Sequence, residues 1–167
     1  IKVINERPSL IRIDANAAPG QYAAKVAMEM AIVRAQKTGI AIVGVTNSNH
    51  FGVAGYYTRM ATEAGMIGFA TTDTNVVDLA PFGGRIAKLG NNAISWGVPT
   101  GNQPVIIDMA TGAVSGGKVK HFAYQGLEIP LGWGLTAEGK PTLNPKEVAV
   151  NIPASYKGSG LAFISDL

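Results

Sequence analysis

The 167-residue sequence contains no cysteine. This absence excludes a disulfide framework, a thiolate nucleophile and a metal site with cysteine ligands. It is also typical of a protein that works in a reducing compartment, so the predicted location is the cytoplasm.

Charged residues and long apolar runs are scarce as well. Only 15% of the residues are charged, and no apolar run approaches the roughly 20 residues of a membrane-spanning helix. The 14 basic and 11 acidic residues leave a net charge of +3, and the basic residues are scattered. A nucleic-acid-binding face needs clustered lysine and arginine, so neither nucleic acid nor a membrane is an expected partner. The small positive excess can instead attract an acidic substrate or a phosphorylated cofactor.

The hydrophobic content of 47% is sufficient for the core of one globular domain. Strand and helix patterns alternate along the first half, which indicates an α/β fold with a βαβ-like unit. The predicted elements are a strand in "SLIRIDA", a helix over 19–38 that starts at Pro19 and ends before Gly39, a strand over 40–45, a helix over 54–64 closed by Gly65, and a strand over 66–72. The strand over 40–45 is rich in β-branched residues, which predicts that both of its faces are covered, and the strand over 66–72 is also predicted to be buried.

The second half is less regular. It contains two strand patterns, "NAISWGVP" and "PVIIDMA", and a predicted helix over 111–124. The segment 126–145 is rich in glycine and proline and shows no period, so we predict an ordered surface loop there. The final stretch, "GLAFISDL", is typical of the middle of an apolar helix.

Several well-known site motifs are missing. No G-x-G-x-x-G follows any predicted strand, which argues against an ordinary Rossmann nucleotide site. The segment "GAVSGGKV" matches the start of a phosphate-binding P-loop, but Val119 stands where that motif needs a hydroxyl for Mg²⁺. No G-x-S-x-G is present. The two histidines, His50 and His121, have no acidic residue at ligand spacing, so no metal site is predicted.

Polar loops follow three of the predicted strands: "NSNHFG", "TDTN" and "DMATG". Ligand sites of α/β proteins form at such strand ends, and an imidazole can exchange a proton near neutral pH. His50 is therefore a candidate for acid–base chemistry, although a histidine before a helix is often only a capping and packing residue. Likewise, Asp108 can simply cap the following helix, and Lys118 and Lys157 can simply be solvated.

Five segments occur in an informative order: "NSNHFGVAGYYTRMA", "APFGG", "IIDMATG", "GKPTLNP" and "YKGSGLA". In order and approximate spacing, they resemble the malate/L-lactate dehydrogenase family, whose members lack a Rossmann domain. That family includes sulfolactate dehydrogenase, ureidoglycolate dehydrogenase, 2,3-diketogulonate reductase and piperideine-2-carboxylate reductase. The resemblance covers essentially the whole chain.

The resemblance implies an oxidoreductase that transfers a hydride between NAD or NADP and a 2-keto acid or 2-hydroxy acid of the malate, lactate, sulfolactate or ureidoglycolate type. It also implies a mixed β-sheet flanked by helices, in a non-Rossmann NAD(P)-binding fold, and a homodimer. By position, His50 is the implied catalytic residue, as a proton donor or a substrate contact. Asn91, Gly116 and Gly117 are the implied substrate contacts. The implied cofactor-binding residues are His50, Phe51, Gly52, Val53, Ala54, Thr74, Asp108, Met109, Ala110, Tyr156 and Lys157.

Some positions depart from the family pattern. "GNNA" replaces G-T-N-P at 90–93, and Lys118 stands where some members have an acid. The family's N-terminal helical segment, with its D-S-H-G histidine, and its C-terminal cofactor loop have no counterpart in residues 1–167. We therefore expect the sequence to be the central cofactor-binding portion of a longer oxidoreductase. The alternative is a noncatalytic dimerisation or binding domain derived from this family.

Overall fold

The computed structural model describes residues 1–166. The chain divides into two compact units, one comprising residues 1–70 and 95–108 and the other comprising 71–94 and 109–167. Within residues 1–166, no helix combines the length and the apolar character needed to cross a membrane.

The first unit contains two three-stranded sheets and two helices. Its elements are β1 (Lys2–Glu6), β2 (Leu10–Asp14), α1 (Gly20–Thr38), β3 (Ile42–Thr46), α2 (Ala54–Glu63) and β4 (Gly68–Thr71), together with most of β7 (Ala93–Val98) and β8 (Val105–Ala110). One sheet has the order β1-β2-β3 and the other has the order β4-β7-β8.

A βαβ unit formed by β2, α1 and β3 organises the first sheet. Strands β2 and β3 pair in parallel, from Leu10 opposite Ile42 to Asp14 opposite Thr46. A helical crossover is the usual way to join parallel neighbours, and α1 packs on β3. The core beneath it contains Ile11, Ile13 and Ala27. The βαβ prediction is confirmed here, but it is wrong for β3, α2 and β4, because β3 and β4 belong to different sheets.

The ends of α1 follow local sequence signals. Pro19 occupies the position before the first helical residue, and Gly39 ends the helix with a φ of 80°. Only glycine adopts this left-handed conformation without a steric cost. The predicted helix over 19–38 is therefore confirmed to within one residue, and so is α2, which is followed by Gly65 at a φ of 73°.

The prediction that the apolar strands are covered on both faces is wrong. Ile42 on β3 is 61% exposed, and Phe69 on β4 is 46% exposed. Both strands lie at the edge of a three-stranded sheet, and α1 covers only one face of the first sheet. A β-branched run therefore predicted the strand but not the number of its covered faces.

Helix α2 packs closely on the second sheet. The Thr58 hydroxyl lies 2.9 Å from the Ser95 hydroxyl, and Ser95 Oγ donates to the carbonyl oxygen of Ile107 at 2.8 Å. A methyl group at Gly68 or Gly97 would lie 2.8 Å from the carbonyl oxygen of Thr58. Glycine at these two strand positions therefore permits the close approach of the helix.

The second unit is built on a four-stranded sheet with the order β6-β5-β10-β9. Its elements are β5 (Val77–Leu79), β6 (Leu89–Gly90), α3 (Gly116–Gln125), β9 (Gly134–Leu135), a short 3-10 helix (Pro145–Glu147), β10 (Val150–Asn151) and α4 (Ser155–Ser165). Leu79, Leu89 and Ala162 form one core cluster, and Ala80, Leu135 and Val150 form another.

The mixed α/β class is confirmed, with two differences of detail in the second unit. Helix α3 begins at Gly116 and not at Thr111, because Ser115 is its N-cap and accepts a hydrogen bond from the backbone N–H of Lys118. The predicted loop over 126–145 contains the short strand β9. The helix predicted in "GLAFISDL" is α4, and Leu167 lies outside the described residues.

Candidate active site

The His50 loop connects β3 to α2 in the first unit. His50 is exposed, and the residue before it fixes the loop, because Asn49 Nδ2 donates to the carbonyl oxygens of Ala17 at 2.8 Å and Ala18 at 3.1 Å. Asn47 has a φ of 54°, a conformation that asparagine tolerates better than most residues. The loop is thus held on the segment that leads into α1 and presents an accessible imidazole.

Gly20, the first residue of α1, lies against the backbone of this loop. A methyl group at Gly20 would overlap the backbone carbonyl oxygens of Asn49 and His50. The first residue of α1 must therefore lack a side chain for the backbone of His50 to lie against it. No local pattern marks this position, because its partners are about thirty residues away along the chain.

The segment from Phe51 to Ala54 leads from His50 into α2. Gly52 turns the chain with a φ of 81°, and the Tyr57 hydroxyl donates to the carbonyl oxygen of Phe51. The rings of Phe51 and Tyr57 are stacked with their centroids 5.4 Å apart. Val53 is 68% exposed, whereas Ala54 is buried. The four predicted cofactor residues therefore form one anchored segment beside His50.

An open cleft of about 460 Å³ lies beside this segment. The residues that line it come from α1, from residues 51–53 and from the start of α2, and four of them are aromatic. The lining residues are Gln21, Tyr22, Lys25, Phe51, Gly52, Val53, Tyr56 and Tyr57. Lys25 pairs with Glu29 at 2.5 Å. Apolar rings and a cation at the rim are features of sites for flat, partly charged ligands.

Asp108 is close to the same segment. Its Oδ2 accepts a hydrogen bond of 2.6 Å from the backbone N–H of Gly55, in the first turn of α2. The expectation that Asp108 caps the following helix is wrong, since α3 is capped by Ser115 and Asp108 bonds to the helix that precedes it. The first unit therefore brings together His50, the segment 51–54 and Asp108.

In the second unit, the predicted residue Thr74 is bonded to a buried asparagine. Asn92 is fully buried, and its Oδ1 accepts from the backbone N–H of Thr74 at 3.1 Å. Its Nδ2 donates to the Ala162 carbonyl oxygen at 3.3 Å and to Asp166 Oδ1 at 2.5 Å. Asn92 thus fixes the loop of Thr74 against the C-terminal part of α4. The sequence analysis did not predict Asn92, because the family resemblance assigns a role to Asn91 and none to Asn92.

That neighbour, Asn91, uses its side chain to hold the loop before α3. Its Oδ1 accepts from the backbone N–H of Gly112 at 2.7 Å, and its Nδ2 donates to the carbonyl oxygen of Val114 at 3.2 Å. The predicted substrate contact at Asn91 therefore has to be made by an amide that is already engaged by the backbone of this loop. The contact stays a prediction.

Met109 and Ala110 end strand β8, and Gly116 and Gly117 open α3. Met109 is 46% exposed. A methyl group at Gly117 would have Ser115 Oγ, at 4.0 Å, as its nearest neighbour. Gly117 is exposed, and helix N-termini favour negatively charged groups.

Tyr156 and Lys157 lie in the first turn of α4. Tyr156 is 62% exposed and makes an edge-on contact with Phe82 of the "APFGG" turn, with ring centroids 6.1 Å apart. Lys157 Nζ lies 5.9 Å from the centre of the Tyr156 ring. The backbone N–H of Phe82 donates to Ser159 Oγ at 3.0 Å. Two of the segments that carry the family resemblance are therefore in direct contact.

Asp78 is a further carboxyl group that sequence reasoning missed. Its Oδ2 accepts from Asn151 Nδ2 at 2.9 Å, whereas Oδ1 is buried and has no partner among the described residues. Burial raises the pKa of Asp78 above its ordinary value of 3.8, while the Asn151 hydrogen bond and the charge of Lys120 act in the opposite direction. A methyl group at Gly116 would be 3.5 Å from Oδ2, so this carboxyl lies close to the start of α3.

We expect Asp78→Asn to change how stability depends on pH. The raised pKa means that the folded state holds this proton more tightly than the unfolded chain, so the parent loses stability as pH rises from 3.8 through the raised value. The variant lacks that loss. Its free energy of unfolding relative to the parent should be more favourable at neutral pH than below pH 3.8, as measured by urea titration.

Asp14→Asn is the matched control for that experiment. Hydrogen bonds from the backbone N–H of Asn16 and from the Asn47 side chain lower the pKa of Asp14, so the sign is reversed and this variant should be relatively less stable at neutral pH. Parallel pH curves for the parent and Asp78→Asn would show that Asp78 carries no burial penalty.

No group of three or more histidine, aspartate or glutamate side chains within residues 1–166 is arranged to hold a metal ion.

Comparison with known proteins gives one consistent family. The family model described as malate/L-lactate dehydrogenase matches residues 1–167. The chain is 40% identical to a malate dehydrogenase of Pyrococcus abyssi over 178 aligned positions, covering 100% of this chain and 49% of the relative. It is 42% identical to an L-sulfolactate dehydrogenase of Methanothermobacter thermautotrophicus, with 100% and 50% covered.

The solved structures agree with this result. The sulfolactate dehydrogenase of Methanocaldococcus jannaschii superimposes with a TM-score of 0.89 at 36% identity, and the match covers 99% of this chain and 49% of that one. The chain therefore spans about half the length of the curated relatives that it matches.

Proposed function

Because the chain belongs to the malate/L-lactate dehydrogenase family, we propose that it is part of an NAD(P)-dependent oxidoreductase that interconverts 2-hydroxy acids and 2-keto acids. The relatives that it matches include enzymes named malate dehydrogenase and L-sulfolactate dehydrogenase. The substrate is therefore a small hydroxy acid with a carboxylate at the neighbouring carbon.

One observation of the molecule carries the proposal: an exposed imidazole stands on a loop that is fixed on both sides. Asn49 ties the loop to the segment before α1, and the Tyr57 hydroxyl ties it to α2. A group that exchanges protons with a substrate has to be accessible and has to keep its place. His50 meets both conditions.

The residues present also fit a nicotinamide cofactor. In the first unit, the anchored segment 51–54 borders an aromatic-lined cleft. In the second unit, Gly117 is exposed at the start of α3 and Lys157 is an exposed cation on α4. Phosphate groups are commonly bound by helix N-termini and lysine. The proposed cofactor contacts are Phe51, Gly52, Val53 and Ala54 in the first unit and Thr74, Met109, Ala110, Tyr156 and Lys157 in the second.

In this proposal the nicotinamide cofactor, when bound, supplies or accepts the hydride at C2 of the substrate. His50 holds the oxygen on C2. In the direction of reduction, its imidazole gives a proton to that oxygen, and in the direction of oxidation it takes the proton from the hydroxyl. Gly116 and Gly117 are further proposed substrate contacts, as the family resemblance implies.

The proposal extends to location and assembly. We propose a homodimer, as the family resemblance implies, and a cytoplasmic location, in keeping with the absence of cysteine. The molar mass in solution, compared with the intact mass of the same purified chain by mass spectrometry, tests the dimer.

The decisive experiment is a turnover assay, with NADH and with NADPH, of the purified oxidoreductase of which this chain is proposed to be part. The panel contains oxaloacetate, pyruvate, sulfopyruvate, the keto acid of ureidoglycolate and a cyclic imine carboxylate. We expect oxidation of at least one cofactor with at least one keto acid, and the better cofactor identifies NAD or NADP. Binding of the cofactor without turnover of any compound would support the noncatalytic binding domain instead.

A further inference from the structure

We propose that Asp108 is a positioning residue, whose carboxylate caps the start of α2 and thereby holds the His50 loop in its working position. This inference rests on the proposed function, because it assigns a role in positioning the imidazole that exchanges the proton. It differs from the cofactor contact that the family resemblance implies for Asp108.

Helix α2 lacks a cap of its own. Its N-cap residue is Val53, which makes no side-chain cap hydrogen bond, and its first turn contains no acidic residue. The first backbone N–H groups of a helix have no partner within the helix. Asp108 supplies one from another part of the chain, since its Oδ2 lies 2.6 Å from the backbone nitrogen of Gly55. Its negative charge is also favourable at this end of the helix.

The residue at position 55 is matched to this contact. A methyl group at Gly55 would lie 3.0 Å from Asp108 Oδ2 and 3.1 Å from Ile106 Cγ2. Such distances are tighter than ordinary van der Waals contacts, so a side chain at position 55 would push β8 and α2 apart. The glycine lets the carboxylate reach the N–H.

The capped turn directly follows the His50 loop. Only residues 51–54 separate His50 from Gly55, and the left-handed φ of 81° at Gly52 gives this segment a sharp bend. The loop is fixed at its beginning by Asn49 and near its end by Tyr57, which bonds to the carbonyl oxygen of Phe51. Asp108 fixes the next point along the chain. Loss of the carboxylate therefore releases the end of the loop that leads into the helix.

Two substitutions separate this role from a cofactor contact. Asp108→Asn keeps a side-chain oxygen that accepts from Gly55 N–H, whereas Asp108→Ala removes it. Glu63→Ala is the matched control, because it removes one exposed acid from the opposite end of the same helix. Each variant is examined by amide hydrogen exchange at Gly55, by the NMR signals of the His50 imidazole, and by steady-state kinetics of the purified protein.

In Asp108→Ala, we expect exchange at Gly55 to be about 5-fold to 10-fold faster, which corresponds to the loss of about 1 kcal/mol of cap stabilisation. The His50 signals should shift, and kcat should fall about 10-fold or more while the KM for the cofactor changes less than about 3-fold. Asp108→Asn should restore most of all three, and Glu63→Ala should match the parent.

Two results would overturn the inference. One is unchanged exchange at Gly55 in Asp108→Ala, which would mean that the carboxylate does not cap the helix. The other is an equal rise in the KM for the cofactor in both Asp108 variants with the His50 signals unmoved, which would make Asp108 a cofactor contact. Exchange and NMR require no turnover, so a parent protein without activity would refute the proposed function and still leave the capping role measurable.

Discussion

Replacing Gly158 by alanine is expected to destabilise the second unit by about 3 kcal/mol. The added methyl group would overlap the backbone carbonyl oxygen of Thr111 and would lie 2.9 Å from the Cβ atom of Ala154. Thr111 cannot yield easily, because it is 2% exposed and its backbone is bonded in both directions, to the Asn92 carbonyl at 3.1 Å and from the Ala154 N–H at 2.9 Å. A backbone oxygen also has no rotamer that would avoid the clash.

The chain provides a matched control on the same helix. Gly160 has no heavy atom within 4 Å of an added methyl group, so Gly160→Ala should stabilise α4 by about 0.5–1 kcal/mol, as expected when alanine replaces glycine inside a helix. Urea unfolding followed by tryptophan fluorescence in a Trp96→Phe background, which leaves Trp133 of the same unit as the reporter, measures both variants. Equal shifts for the two variants would contradict the close approach of Gly158 to Thr111.

The sequence predicted those elements whose signals are local. Helix α1 was predicted to within one residue because its start at Pro19, its end at Gly39 and its apolar spacing all lie within the helix or beside it. The start of α3 is predicted five residues too early, because two residues offer a suitable local signal for the N-cap. Ser115 is a good cap, but Thr111 also suits that position, and the choice depends on partners elsewhere: the carbonyl oxygen of Thr111 is bonded to Ala154 and its N–H to Asn92.

Local sequence patterns do not predict which sheet a strand belongs to. The pattern of strand, helix and strand is the same for β2, α1 and β3 as for β3, α2 and β4, yet only the first is a βαβ unit. What separates them is strand pairing, which brings together residues far apart in the chain. Ile42 and Phe69 are exposed because their strands lie at sheet edges. The residues of a strand do not indicate whether it is an edge strand.

The candidate site shows the same division. His50 and the segment 51–54 could be predicted from one stretch of sequence and its family resemblance. Gly20, Asn92 and the pairing of Gly55 with Asp108 could not, because each depends on a contact between distant segments. These missed residues share a role: they hold the predicted ones in place. The resemblance therefore identified the residues nearest to the proposed chemistry and not the ones that fix their geometry.

Replacing His50 by alanine is expected to lower kcat/KM for the best keto acid by about 10²-fold to 10⁴-fold, the usual contribution of a positioned general acid. His121→Ala is the control, because it removes the second histidine, which is exposed on α3, and it should leave the rate unchanged. A rate for His50→Ala within about 3-fold of the parent would remove His50 from the mechanism.

Two further measurements determine which role His50 has. If the imidazole transfers the proton, adding imidazole to the buffer should restore part of the rate of His50→Ala, because the freed space can admit the missing base. If it only orients the substrate, free imidazole should not help, and the loss should appear mainly in KM.

Gly20→Ala tests the position of His50 rather than its chemistry, since the added methyl group overlaps the carbonyl oxygens of Asn49 and His50 and displaces the loop with its histidine intact. We expect this variant to lose kcat without rescue by imidazole, because a misplaced imidazole still occupies the space that the free base would need.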